Sequence, residues 1–329
     1  MSAADVKIEG NFDPNIAVRE KFPPGVRILS AESYGSSAWS KTAKVTAEEK
    51  NGKPIFFFLK EFDGEVGRAQ LEGEFTGMSE LHNLMPNFVP KPYAWGKLKG
   101  LPSSSPVYFF LIEFKNFSDG LRDPVRLGSR LAELHRKSVS PTGKFGFHMT
   151  TYDGARTQVV EWDSSWTSFF SKLLAVAYRH DVETNGCWEE LDKVFNCTLS
   201  HLIPRLLGVL ESGGRSIKPC LIHGDLWEGN IGTDIETGDP WIFDAAAYYA
   251  HHEMELGIWR AERHQLRAKI YRKEYLRNME PSGPVDEWDD RNRLYSVKTN
   301  LMYSACVFGS PSRQLAYNDL VYLIDKYVH

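Results

Sequence analysis

The sequence predicts an α+β protein in two parts, a small β-rich N-lobe followed by a larger α-rich C-lobe. Two runs of strand-forming residues, Lys44-Val45-Thr46 and Ile55 to Lys60, flank Asn51-Gly52, a dipeptide suited to a tight hairpin turn. From about residue 116 onward, apolar residues recur at helical spacing. One short hairpin interrupts the helices, between Ile231-Gly232-Thr233 and Trp241-Ile242-Phe243, with Thr237-Gly238 near its turn. Polar residues bracket that hairpin.

The elements follow in order. After the first hairpin, Glu72 to Leu84 carries Phe75, Met78 and Leu81 at helical spacing, and Pro86, Pro90 and Pro92 end it. Val107 to Ile112 is an apolar strand running into Glu113-Phe114-Lys115. Leu127, Leu131 and Leu134 mark an amphipathic helix, and Trp166 to Tyr178 marks another. A wide apolar stripe runs from Leu191 to Leu210. Three further helical stretches are expected over roughly 253–278, 286–305 and 313–328, with Pro281-Ser282-Gly283-Pro284 separating the first two. The expected division is an N-terminal lobe over 1–115, with a hinge at 113–115, and a helical lobe over 116–329.

Composition narrows the function classes. A chain of 329 residues with 42% hydrophobic and 25% charged residues has the balance of an ordinary globular protein. The net charge of −4 offers no general affinity for nucleic acid or anionic membrane. No apolar run approaches the roughly 20 residues of a membrane span, and Met1 to Gly10 lacks a signal-peptide core. The four cysteines, Cys187, Cys197, Cys220 and Cys306, form no CxxC and suit a reducing, cytoplasmic setting. No nucleic-acid or membrane partner is expected.

The chemistry is concentrated in Leu221-Ile222-His223-Gly224-Asp225-Leu226-Trp227-Glu228-Gly229-Asn230, followed by Trp241-Ile242-Phe243-Asp244. An acid, an amide five residues later and a second acid across a hairpin can build a phosphoryl-transfer site, with the spacing of the protein-kinase catalytic loop. In an antiparallel hairpin centred near residue 237, Asn230 and Asp244 fall opposite each other. Opposed side chains lie about 5 Å apart, within reach of one Mg²⁺. Asp225 then faces the acceptor hydroxyl, mainly to position it. His223 is expected to brace the loop, since it follows an apolar pair. Lys60 ends an apolar strand, and Glu72 or Glu74 on the next helix can pair with it. Ser36 and Ser37, in a serine-rich turn with one glycine, sit where phosphate oxygens could be met. His251 and His252 beside Glu253 and Glu255 make a poor chelate, because adjacent helical residues diverge.

These residues resemble the fructosamine kinase family, also called ketosamine or protein-ribulosamine 3-kinases. The resemblance spans most of the chain. It includes Glu72-Gly73-Glu74, Val89-Pro90-Lys91-Pro92, Leu131-Ala132-Glu133-Leu134-His135, Lys144-Phe145-Gly146-Phe147-His148 and Glu161-Trp162 with Trp166 to Phe170. It continues through His223-Gly224-Asp225-Leu226-Trp227, Asn230, Phe243-Asp244 and Tyr248-Tyr249-Ala250-His251. It implies a bilobal protein-kinase-like fold related to aminoglycoside phosphotransferases, using ATP and Mg²⁺. The substrate it implies is a ketosamine, free or on a protein lysine, phosphorylated on its 3-hydroxyl in deglycation repair. By resemblance, Asp225 is catalytic, Asn230 and Asp244 hold metal, and Lys60 pairs with Glu74. Glu113, Phe114 and Lys115 bind adenine, and Trp227, Trp162 and Trp166 are candidate sugar-facing rings.

Departures from the family pattern touch substrate and regulation. Asp244 precedes Ala245 where proline is common, and Ala250 stands where glycine is frequent. No cysteine lies between Glu32 and Trp39, the place of a redox-sensitive residue in some relatives. Two other readings fit the same residues. One is a phosphotransferase for another amine-bearing hydroxyl compound, such as an aminoglycoside or choline-like molecule. The other is a pseudokinase binding module, which the presence of Lys60, Asp225, Asn230 and Asp244 together opposes.

Overall fold

The structure, a computed structural model, describes residues 8–35, 40–101, 105–118, 120 and 122–328. The chain divides into two compact units, Met1–Asp119 with Thr233–Phe243, and Gly120–Gly232 with Asp244–His329.

The first unit is an antiparallel sheet of β1 (Arg27–Ser33), β2 (Lys41–Glu48), β3 (Pro54–Asp63), β4 (Pro92–Lys97) and β5 (Val107–Glu113), in the order β1-β2-β3-β5-β4. A short helix, α1 (Ile16–Arg19), precedes it, α2 (Gly64–Leu84) joins β3 to β4, and β6 (Phe117–Ser118) follows. Successive strand residues face opposite ways. Ala43, Val45 and Ala47 of β2 and Phe57 and Leu59 of β3 are therefore buried together in one core, and Lys60 lies on the opposite face from Leu59. The helix begins eight residues before the expected Glu72. Its first turns bury only Gly67 and Leu71, so they lack the apolar stripe on which the sequence reading relied. β4 starts at Pro92, where the sequence reading saw only a stop. It is an edge strand, where a missing N–H is tolerated.

The second unit is mainly helical. It contains α3 (Pro124–Lys137), the short hairpin β7 (Tyr152–Asp153) and β8 (Arg156–Thr157), α4 (Trp166–Asn185), α5 (Glu189–Cys197) and α6 (Ile203–Leu206). The expected 191–210 helix is thus divided, with a wider turn over Thr198–Leu202 and Pro204 in the first turn of α6. β9 (Cys220–Ile222) follows, and then β10 (Ile231–Asp234) begins; its residues from Thr233, with β11 (Pro240–Ile242), belong to the first unit. β12 (Tyr248–Ala250), α7 (Lys269–Asn278), α8 (Trp288–Cys306) and α9 (Ser312–Tyr327) complete the chain. The expected helix over 253–278 is instead a 3-10 segment over His252–Arg260, a break, and α7. Residues 252–259 are buried on every side, so no amphipathic face exists to favour an α-helix. No described helix is long and apolar enough to cross a membrane. All four cysteines are free.

The core of this unit is unusually polar. Arg291 and Glu253 are fully buried and joined at 2.8 and 3.0 Å. His251 bonds Tyr295 Oη through Nδ1 and Ser282 Oγ through Nε2, both at 2.8 Å. Tyr275 Oη lies 2.7 Å from His135 Nδ1 and 3.0 Å from His252 Nδ1. His251, His252 and Glu253 are close enough to share an ion, but each is committed to hydrogen bonds or an ion pair here.

Burial first, then nearby positive charge, holds the pKa of both His251 and His252 well below 6.5. Both are neutral when folded and take up protons when unfolded. Folding stability is therefore full above the unfolded pKa near 6.5 and declines as pH falls below it. Chemical unfolding at pH 7.5 and pH 5.5 is expected to show a loss of stability at the lower pH. His251→Asn should reduce that loss; an equal loss in the variant would assign the effect to other groups.

Candidate active site

The loop after β9, which carries Asp225, is held by backbone pairing on both sides. β9, which leads into it, pairs antiparallel with β12, matching Ile222 to Tyr248 and Leu221 to Tyr249. The pairing runs on through the Ala246 N–H, which donates to the His223 carbonyl at 2.9 Å. Residues 223–225 and 244–246 are thereby held side by side although a hairpin separates them. Gly224 makes this approach possible. Its φ is +82°, and a Cβ there would meet the Ala246 carbonyl oxygen at 2.3 Å.

Asn230 joins the two acidic positions. Its Nδ2 donates to the Asp225 carbonyl at 2.8 Å, to Asp225 Oδ2 at 3.1 Å and toward the Asp244 carbonyl at 3.4 Å. With the amide nitrogen so engaged, the side-chain oxygen is the atom left to act as a ligand. Asp244 is the non-glycine residue held at positive φ, +65°, among those described, and such strain persists where the surroundings over-determine it. Burial, then the charges of Asp153 and Asp244, push the Asp225 pKa up to about 8, against the opposing pull of Lys298 and the Asn230 bond. The donor set of amide and carboxylate oxygens fits a hard divalent cation.

Several supports were not assigned a role from the sequence. Glu255, fully enclosed, accepts from the His223 N–H at 2.5 Å and the Gly224 N–H at 3.0 Å. Burial opposes its charge, but the His135 imidazole and the His223 N–H keep its pKa lowered. Trp259 Nε1 donates to the Leu226 carbonyl at 2.7 Å. Arg122 bonds the carbonyls of Glu228 and Ile231, at 2.7 and 2.8–3.0 Å. His223 is buried, and its Nδ1 accepts from the Asp225 N–H at 3.3 Å, a bracing geometry.

In the first unit, Lys60 Nζ meets Glu74 Oε1 at 2.7 Å, while Glu72 pairs with Arg68. The Glu113 N–H donates to the Lys91 carbonyl and the Phe114 N–H to the Phe56 carbonyl. Lys115 pairs with Glu113 at 2.7 Å and lies over the Trp241 ring. Ser36 and Ser37 lie outside the described residues. The tryptophans separate. Trp227 is 36% exposed and stands beside His264, with ring centroids 5.7 Å apart. Trp162 is half-buried against Tyr249. Trp166 is fully buried among Phe145, Phe169, Phe170 and Tyr295, with its Nε1 on Tyr295 Oη. It leaves no face for a sugar and serves the core.

A family model described as fructosamine kinase matches residues 20–326. Curated relatives include a rice protein-ribulosamine 3-kinase, chloroplastic, 33% identical over 61% of this chain and 55% of that protein. A mouse ketosamine-3-kinase is 28% identical over 61% of this chain and 68% of its own length. The chain's match thus spans little more than half of the rice relative. A solved structure described as a fructosamine-3-kinase of Thermobifida fusca superposes with a TM-score of 0.71 at 20% identity, covering 94% of this chain and 98% of that one. An aminoglycoside phosphotransferase, solved with AMP-PNP and hygromycin B, gives a TM-score of 0.59 at 12% identity over 91% of this chain and 94% of its own. These likenesses show a protein-kinase-like α+β fold.

Replacing Glu255 by Gln removes a charge that two loop N–H groups use and presents an amide donor to them. The expected loss of stability is on the order of 2–3 kcal/mol. Amide hydrogen exchange should accelerate at His223 and Gly224. Unchanged exchange there would show that the loop is held without Glu255.

Proposed function

Because the chain belongs to the fructosamine kinase family, we propose that it transfers the γ-phosphoryl group of ATP to the 3-hydroxyl of a ketosamine. The observation that carries this reading is the buried Asn230 amide, which bridges the Asp225 carboxylate and the Asp244 carbonyl. The printed names of the rice and mouse relatives support the acceptor class.

Each side chain has a role under this reading. Asp225 orients the attacking hydroxyl and receives its proton as phosphoryl transfer proceeds; a loose transition state asks mainly for positioning. Asn230 and Asp244 are the ligands for Mg²⁺, which when bound supplies positive charge to the phosphate oxygens and offsets the repulsion between Asp244 and Asp225. Lys60, held by Glu74, contacts phosphate oxygens, and Ser36 and Ser37 are assigned the same task. Glu113 to Lys115 carry adenine. Since the N–H groups of Glu113 and Phe114 are already used within the sheet, Lys115 N–H is the donor proposed for the base. Trp227, the most exposed of the three candidate rings, and Trp162 are assigned to the sugar. The phosphorylated adduct would then break down and free the amine, a deglycation step. Four free cysteines favour a reducing compartment such as the cytoplasm.

Coupled ADP release with ATP and Mg²⁺ tests the reading, comparing ribuloselysine, fructoselysine, an aminoglycoside and choline. Turnover is expected on a ketosamine. Asp225→Asn should lower turnover by a factor on the order of 10³ or more while nucleotide binding stays nearly intact. Asp244→Ala should weaken Mg²⁺-dependent nucleotide binding as well. Wild-type turnover by Asp225→Asn would remove this residue from the chemistry, and turnover on choline or the aminoglycoside alone would replace the acceptor class.

A further inference from the structure

Asp153, on β7 of the second unit, has no part in the roles above, yet it is fixed relative to the catalytic loop by a continuous chain of bonds. Its Oδ2 accepts from Lys298 Nζ at 2.7 Å. The same ammonium donates to Gln158 Oε1 at 2.8 Å. Gln158 Nε2 donates in turn to the Ala246 carbonyl at 3.1 Å, and the Ala246 N–H donates to His223. Lys298 is 2% exposed and Asp153 is 20% exposed, so the lysine is a buried strut and the acid is its open end. The Asp153 Oδ1 atom accepts from no described residue. Asp153 also lies near enough to Asp225 for its charge to act on that carboxyl, as does that of Lys298 in the opposite sense.

A carboxylate with one oxygen committed and the other open, tied through Lys298 and Gln158 to the backbone paired with the Asp225 loop, can take a donor from the acceptor itself. A cationic donor gains most, because charge-assisted hydrogen bonds are about twice as strong as neutral ones. We propose that Asp153 is a specificity residue that binds the protonated secondary amine of the ketosamine, with Lys298 and Gln158 holding it in place. The inference rests on the ketosamine-kinase reading above. In such an acceptor the amine nitrogen is on C1 and the reacting hydroxyl on C3, so the amine must bind close to Asp225. The bonded path from Asp153 through Lys298 and Gln158 to the Ala246–His223 pairing ties it to the loop that carries Asp225, without its being one of the residues assigned to metal. Lys298 cannot meet it, since its charge repels the amine.

The test compares fructoselysine with an ether-linked analogue in which oxygen replaces the amine, using wild type, Asp153→Asn and Asp153→Glu. Wild type should favour the amine in kcat/KM by a factor on the order of 10 to 100, the worth of one such bond. Asp153→Asn should lose that preference through KM for the amine, with KM for the ether little moved, and Asp153→Glu should recover part of it. A merely structural role would move both acceptors together and lower Tm. Equal use of both acceptors by wild type, or an unchanged amine preference in Asp153→Asn, would overturn the inference while leaving the kinase reading standing. Absence of turnover on any ketosamine would overturn both. If Asp153→Asn does not fold, the wild-type comparison alone decides.

Discussion

The arrangement around Asp225 depends on one buried carboxylate, that of Glu255. A catalytic loop must leave its regular strand, and backbone N–H groups freed in that departure need acceptors. Glu255 supplies two oxygens to His223 and Gly224 at the turn out of β9. Its own ionisation is in turn supported by His135 and His223. The loop's position is therefore set partly by a charge deep in the second unit, together with the freedom of Gly224 and the β9–β12 pairing.

Burying such a charge is costly unless it is paired and fully bonded. This unit meets the condition by using many polar residues together. Arg291 answers Glu253, two imidazoles share the Tyr275 hydroxyl, and His251 spans Tyr295 and Ser282. Replacing a single partner leaves a desolvated group behind, so these residues constrain one another. The gain is geometric: the 3-10 segment over His252–Arg260 can aim Glu253 and Glu255 at different targets from a short, wholly buried stretch.

This explains what was legible beforehand. The fold class followed from local signals, namely the Asn51-Gly52 turn, the alternation in Ile55 to Lys60 and the helical spacing after residue 116. Asp225, Asn230 and Asp244 stood out because their spacing along the chain is short. Glu255 did not, since it reaches the loop from 32 residues away and sits in a segment whose periodicity suggested a plain helix. Asp153 and Lys298 are 145 residues apart, and no local pattern links them. Trp166 illustrates the reverse error. Aromatic type alone cannot separate a sugar platform from a core ring, and only its burial against Tyr295 decides.

The site also holds a deliberate imbalance. The charges of Asp153 and Asp244 both bear on Asp225, with Lys298 and Arg263 as the nearby opposing cations. In a purely structural cluster, selection for stability would favour replacing one acid with a neutral residue, since like charges at close range raise the free energy of the fold. Asp244 adds backbone strain to that cost through its positive φ. Under the roles proposed above, both penalties would fall when cations enter, one at the Asn230–Asp244 oxygens and one on the acceptor at Asp153. On that proposal, the resting site is destabilised in the places where the ligands would carry positive charge. Binding energy released there is available for orienting the hydroxyl against the phosphoryl group, which is the work that phosphoryl transfer chiefly demands.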